Sequence, residues 1–391
     1  MTSLPTEIVY FAVNRWDSMV QREQHLMMGL SSTYRILFVD PPLSLLSILS
    51  GKIQGEKWTL RSHLYWVNDQ LIVYTPPAFP PLSQYFEWMN SMHNHLLISL
   101  IKKNLEKLSF KNFMLGVGRP FLGCAIKEFG PKLSYYDCSD EYLEFPGLRA
   151  NKRILRKSEE ELLRGVDVVF CSSEGLKETK SRFNRNCFLL PNGVDLSLID
   201  SGSSNILPPA DIKKITRPIL GYIGTIGEWL DFNALIGLAR ARTDWSIVMV
   251  GPLTEKHFSS FFKDVPNIYW LGGKDYRELY PYLKMFDVCL IPFKVNEFTK
   301  NIYPTKLHQY LAAGKQVISS HLPDLESFTP WVEFYSDVKD MEMKIERSLQ
   351  ENSEEKILGR KKIARENTWD RRVVSMIQTF NTFFSKEIPS N

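Results

Sequence analysis

Two tandem doubly wound α/β domains, each built on a parallel sheet, are the architecture this sequence predicts. Three observations lead there. Short apolar runs alternate with helical patterns in two series, which implies right-handed βαβ units. The alternation pauses once, at 195–218. At about 150 residues per domain, a chain of 391 residues is too long for one ordinary core. Composition agrees: 44 % hydrophobic and 24 % charged residues exclude bulk disorder, collagen and coiled coil.

In the first series, Ile8–Val13 reads as a strand, Ser18–Leu30 as a helix and Arg35–Val39 as a second strand closed by Asp40-Pro41-Pro42. Leu71–Tyr74 is a third strand, closed by Pro76-Pro77. Residues 83–107 carry aromatic and leucine positions at three- and four-residue spacing, the mark of a long helix. Phe113–Val117, Leu133–Tyr136 and Val166–Cys171 are further strands with helices between them. The pause holds Ser201-Gly202-Ser203-Ser204, Pro208-Pro209 and Pro218, a linker composition. The rhythm resumes with strands at Ile219–Ile223, Ser246–Val250, Ile268–Leu271, Val288–Pro292 and Gln316–Ser319. Thr368–Phe384 is a helical pattern with Trp369, Val373, Ile377 and Phe380 on one stripe.

Charge and cysteine usage narrow the function classes. Forty-eight Lys and Arg against forty-four Asp and Glu leave +4, too little to argue for a nucleic-acid partner. No apolar run approaches the ~20 residues of a membrane helix; the longest, Leu43–Leu49, is broken by serines. The N-terminus lacks the pattern of a secretory leader. The five cysteines (Cys124, Cys138, Cys171, Cys187 and Cys289) are scattered and read as buried thiols, which fits a reducing, cytoplasmic setting. His93 and His95 have no partner at ligand spacing, so no metal is expected.

Ligands of open α/β sheets bind beyond the carboxyl ends of the strands, so the residues there matter most. Gly221-Tyr-Ile-Gly224-Thr225-Ile-Gly227 ends the first strand of the second series and precedes a helix at 230–241. Its glycines would let phosphates approach the backbone, or simply make a tight turn. The spacing is not that of a dinucleotide fingerprint, and Gly251-Pro252 stands where an acidic residue would be, which argues against a nicotinamide enzyme. In Tyr303-Pro304-Thr305-Lys306, Pro304 suits a helix start, and Gly314 suits its end. A lysine in that first turn fits a docked anion such as a diphosphate, or a solvated side chain that swings away. Tyr135-Tyr136-Asp137-Cys138-Ser139-Asp140 offers acids at a strand end, which could orient a hydroxyl or act as base; helix capping by Ser139 or Asp140 is the plainer alternative. Arg149, Lys152, Arg153, Arg156 and Lys157 share a helical face, suited to an anionic membrane surface or to pairing with Glu159–Glu161.

These segments together resemble the GT-B glycosyltransferases, in the family 4-like branch that includes teichuronic acid and capsule polysaccharide glycosyltransferases. The matching stretches are Trp16-Asp17 with Gln21-Arg22, Tyr136-Asp137 with Asp140, Pro191-Asn192-Gly193-Val194-Asp195, Gly221-Tyr-Ile-Gly224, Val250-Gly251-Pro252, Asp287 to Pro292-Phe293, and Pro304 to Gly314. The resemblance implies an N-terminal acceptor domain at 1–200 and a nucleotide-sugar donor domain at 201–366. Residues 367–391 would form a helix returning to the first domain. It implies transfer of a sugar from a nucleoside diphosphate sugar to a glycan or lipid-linked acceptor, with retention, in surface polysaccharide biosynthesis. Such enzymes work in the cytoplasm, with peripheral contact at the inner membrane face possible, and need no metal or other cofactor. By position, Gly224, Thr225, Thr305 and Lys306 would meet the diphosphate, and Gly251, Gly272 and Tyr276 would surround the base. Asp140 and Asp137 are the catalytic candidates.

Two departures stand out. The family has glutamates eight positions apart where this chain has Asn301 and Gln309, and Glu228-Trp229 stands where basic residues are common. Amides still hydrogen-bond hydroxyls but carry no charge. They keep open a GT-B-shaped protein that binds a sugar nucleotide or a partner transferase without turnover. A sugar-nucleotide epimerase of the same shape, using His25 and Asp140, is the other alternative.

Overall fold

The computed structural model describes residues 5–44, 62–79, 85–145, 150–200 and 207–386. They fall into two compact units: Met1–Pro191 with Val373–Asn391, and Asn192–Arg372. Residues 201–206 of the expected linker, and Arg149 of the basic patch, lie outside the described residues.

The first unit contains an eight-stranded sheet of order β3-β4-β2-β1-β5-β6-β7-β8. The strands are β1 (Glu7–Phe11), β2 (Arg35–Val39), β3 (His63–Asn68), β4 (Leu71–Thr75), β5 (Phe113–Val117), β6 (Leu133–Cys138), β7 (Val168–Cys171) and β8 (Cys187–Leu189). Every pairing is parallel except β3 with β4, which is antiparallel. β1, β2 and β4–β7 are almost wholly buried, as strands covered on both faces must be, so they read as continuous apolar runs. β3 escapes that pattern because it is a largely exposed edge strand.

One face of the sheet presents Val9 and Phe11 to Leu97, Ile98, Ile101 and Leu105 of α2 (Glu87–Lys107) and to Leu162 and Leu163 of α4 (Lys152–Gly165). The other presents Tyr135 and Phe170, whose rings lie 5.2 and 5.8 Å from Phe380 of α12 (Trp369–Lys386). On that face α1 (Arg22–Leu30) packs so closely on α12 that a Cβ on Gly29 would come 2.5 Å from Val373 Cγ2. The last helix therefore returns to the first unit, as the stripe and the resemblance lead one to expect. α1 starts later than the apolar pattern suggests because Gln24 Oε1 accepts the Gln21 N–H at 3.0 Å, closing the first turn there.

The second unit is a six-stranded, wholly parallel sheet of order β11-β10-β9-β12-β13-β14. Its strands are β9 (Ile219–Ile223), β10 (Ser246–Val250), β11 (Ile268–Trp270), β12 (Val288–Ile291), β13 (Gln316–Ser320) and β14 (Val332–Tyr335). The first four and β13 are those the apolar runs indicate; β14, with two half-buried residues, carries too short a signal. α7 (Phe232–Ala241) begins at Asp231, whose side chain accepts the Ala234 N–H at 2.9 Å. α9 (Lys306–Ala312) ends in a Schellman motif: Gly314 has φ +74°, its N–H bonds Leu311 O, and Lys315 N–H bonds Tyr310 O, both at 2.9 Å.

Candidate functional site

In each sheet the strand order reverses at one place. In the second unit the chain moves outward from β9 to β10 and β11, then resumes on the other side with β12, so the switch point lies between β9 and β12. Three glycines line the carboxyl ends on the β9 side. Gly224 N–H bonds Val250 O and Gly251 N–H bonds Gly272 O, both at 2.9 Å. A Cβ on Gly251 would fall 2.0 Å from Gly224 O, and φ at Gly224 is +137°, so neither position admits a side chain without moving backbone. Gly224, Gly251 and Gly272 thus form one continuous backbone ledge. Gly221, in the same motif, has a different reason: a Cβ there would strike the Phe286 ring at 2.0 Å. It is a packing glycine within β9, not part of a ligand turn.

Lys306 faces this ledge. A Cβ on Gly224 would lie 2.9 Å from Lys306 Cε. The ammonium sits 5.1 Å from the Tyr222 ring centroid and 4.8 Å from that of Phe293, which follows β12. Among the described residues no acid sets its charge; burial alone pushes it down to about 8. α9 starts at Lys306, two residues after Pro304, whose carbonyl instead accepts from Leu307 N–H. The helix has seven residues, too short for its dipole to carry the argument. What distinguishes Lys306 is a cation held half-buried between two rings, without a counter-charge among the described residues.

The other expected residues separate into two groups. Thr225 accepts the Tyr222 hydroxyl on its carbonyl at 2.8 Å, and Thr305 occupies the N-cap of α9 without a side-chain cap bond. Gln309 hydrogen-bonds Tyr276, and both line a small pocket with Val194, Asp195, Tyr280 and Leu283. Asn301 is buried, its Nδ2 donating to Glu297 O at 2.9 Å, so the amide serves the local backbone. Two residues further along the chain, Tyr303 bonds buried His308 at its Nε2, at 2.8 Å.

The first unit has its switch point between β1 and β5, and polar groups converge there too. Arg22 Nη2 meets Asp137 Oδ1 at 2.7 Å and Arg22 Nε meets the same oxygen at 2.9 Å; Arg22 also donates to Leu190 O. Glu23 accepts Val13 N–H at 2.7 Å, Asn14 N–H at 2.9 Å and the Tyr10 hydroxyl at 3.1 Å. Burial raises Glu23 to about 7, with the Asp137 charge adding to it. Arg119, just after β5, is lowered to about 10 by burial.

Asp137 and Asp140 have different surroundings. Asp137 is clasped by Arg22, which makes it a holding group for the start of α1. Asp140 is raised to about 6 by burial, opposed by a hydrogen bond from Ser139 at 3.3 Å and by the Arg22 charge. Neither Ser139 nor Asp140 caps a helix: the next helical turn, Tyr142–Glu144, is preceded by Glu141. Ser139 Oγ also lies 3.1 Å from the Tyr142 hydroxyl. Glu23 and Arg119 carry no motif of their own in the sequence; only the fold brings them to the switch point of the first unit, whereas Phe293 belongs to the stretch Asp287 to Pro292-Phe293.

The comparisons with known proteins can be set beside this geometry. No family model matches the chain. It is 28 % identical over 253 residues to TuaH of Bacillus subtilis (strain 168), whose name makes it a glycosyltransferase of teichuronic acid biosynthesis. The match takes in 60 % of this chain and spans 63 % of that relative's length. Among solved structures, the α,α-trehalose 6-phosphate synthase of Burkholderia multivorans superposes with a TM-score of 0.68 at 11 % identity, covering 98 % of this chain and all of that one, 100 %. Anabaena Alr3699/HepE in complex with UDP and glucose gives 0.66 at 12 % identity, covering 96 % and 100 %. The E. coli trehalose-6-phosphate protein bound with UDP-2-fluoro glucose gives 0.67 at 10 %, covering 96 % and 98 %. At these identities the likeness is one of fold, and the fold is GT-B: two parallel-sheet α/β domains in one chain.

Proposed function

We propose that this chain is a glycosyltransferase that takes a sugar from a nucleoside diphosphate donor, UDP-linked in the first instance, and passes it to a glycan or lipid-linked acceptor with retention. The observation that carries the reading is Lys306: a half-buried ammonium, without an acid to balance it among the described residues, faces a ledge of three glycine backbones at a sheet's switch point. A diphosphate supplies the missing negative charge, and the glycines let it approach. As the bond from the anomeric carbon to the diphosphate oxygen breaks, negative charge grows on that oxygen, where Lys306 stabilises it. Tyr276 and Gln309, in the same unit, border the base and ribose side. In the first unit Asp140 is the acceptor-side candidate, with a carboxyl near 6 suited to taking a hydroxyl proton at neutral pH.

The relative's name and the UDP complexes among the structural neighbours support this reading. A place in surface polysaccharide assembly rests on the relative alone. Binding without turnover is the second reading, favoured by Asn301 and Gln309, neither of which can carry charge. Incubation with a panel of isotope-labelled nucleotide sugars, read by UDP release and by the anomeric configuration of the product, separates them. The proposal expects UDP release and an unchanged anomer. UDP binding with no release over many hours would establish the second reading, and absence of UDP binding would remove both.

A further inference from the structure

α2 is amphipathic in an unusual sense: it is apolar on two opposite faces. At about 100° per residue, Trp88, Met92 and Leu96 fall within a sector of about 80°. Leu97, Ile98, Ile101 and Leu105, which pack into the core, lie opposite them. The outer three are 66 %, 52 % and 47 % exposed, and Tyr85 and Phe86, just before the helix, are exposed as well. Further along the same outer face stand Ser99 and Lys103, so the apolar character is confined to the first three turns.

The helix tied to the start of this stripe, α4, opens with charges of one sign. The first two turns of α4 carry Lys152, Arg153, Arg156 and Lys157, all exposed and without an acid among them. Lys157 is joined to Glu87, the residue before Trp88, and Arg153 also acts on Glu87. Lys152 pairs with Glu144 at 3.7 Å. Two of the four cations, Arg153 and Arg156, thus face solvent with no acid in contact among the described residues, on the helix that Lys157 ties to the start of the aromatic and aliphatic stripe.

We propose that this face of the first unit is a docking surface for an anionic lipid bilayer. Trp, Tyr and Phe at the start of a helix suit the headgroup boundary, where an amphipathic ring keeps one side wet. Adjacent cations draw the face toward acidic headgroups, which neutral lipid or an uncharged apolar partner would not do. No helix among the described residues is long and apolar enough to cross a membrane, so the contact is a surface one. It needs nothing from the donor site and stands or falls apart from it.

Flotation of the purified chain with phosphatidylcholine vesicles, with and without phosphatidylglycerol, tests the proposal. The chain should float with the mixed vesicles and not with the neutral ones, and added salt should release it. Arg153→Gln with Arg156→Gln should weaken binding by about twenty-five-fold, at about fivefold per cation near the surface. Trp88→Ser with Met92→Ser should weaken it by about tenfold or more. Circular dichroism and urea unfolding of the first unit, measured in parallel, should be unchanged in both variants, which shows that they fold and keeps the test independent of the donor reading. Equal flotation with neutral vesicles, or no effect of either variant, overturns the proposal. So does a dimer in solution that the Trp88 variant dissociates, since the stripe would then belong to a second copy.

Discussion

The two switch points have similar topology and opposite electrostatics. In the first unit a paired network joins the ends of β1 and β6: Arg22 holds Asp137, and Glu23 gathers two backbone amides and a tyrosine hydroxyl, with Asp140 standing outside that network. In the second, Lys306 has two aromatic rings and no acid among the described residues. A saturated network rigidifies its surroundings and gains little from a ligand. An unsaturated charge is a standing cost that an anion can remove. The difference teaches where to look for binding and where to look for architecture, and each of the following changes tests it.

The largest effect should come from Arg22→Met. Arg22 and Asp137 side chains are 5 % and 1 % exposed, so losing the cation strands a buried carboxylate. The expected loss is about 3–5 kcal/mol in the unfolding of the first unit, followed by urea titration. Adding Asp137→Leu should restore much of it. If Arg22→Met costs under about 1 kcal/mol, the network is not the saturated one described.

Asp140→Asn should lower turnover by about 10²–10⁴-fold while leaving the fold intact. In the unaltered chain the rate should rise with pH through about 6, as the carboxyl ionises. Stability should move the other way. The folded carboxyl is raised above its ordinary 3.8, so its contribution is complete below that value and is lost as pH rises through about 6. A pH profile unchanged by the substitution would place the acceptor-side base elsewhere.

The smallest expected effect in free energy, and the sharpest in meaning, concerns Lys306→Met. UDP affinity should fall about ten- to a hundredfold, one charge-assisted bond's worth, by calorimetric titration. The unliganded protein should become more stable at neutral pH by about 1 kcal/mol, because an unbalanced cation is gone. The sign follows from the lowered value: the folded ammonium titrates at about 8 instead of 10.5, so the fold gains stability as pH rises between them and loses it as pH falls through 8. Bound UDP should weaken as pH rises above about 8, since the neutral amine no longer attracts it. UDP affinity equal in both proteins would reduce Lys306 to a packed side chain.

Much of the scaffold is legible along the chain. The strands that lie at the centre of either sheet are apolar throughout, since both of their faces are covered, and Gly314 ends α9 as its position suggests. The strands that escape are β3, β8 and β14, all at sheet edges, where one partner strand is missing and exposure removes the apolar signal. The site is legible in part. Gly224 and Lys306 stand out from local pattern, but nothing local ties Gly224 to Gly251, or Lys306 to Phe293.

By itself the sequence determined which segments become strands and helices, where glycine is needed, and that the rhythm occurs twice. Those properties depend on near neighbours and on periodicity. Only the tertiary structure decided that Asp137 is clasped by a residue 115 positions away while Asp140 is not, and that Gly221 packs under Phe286 while Gly224 faces Lys306. Burial and charge pairing depend on which strand ends meet, and strand order, unlike strand identity, is set by packing across the whole sheet.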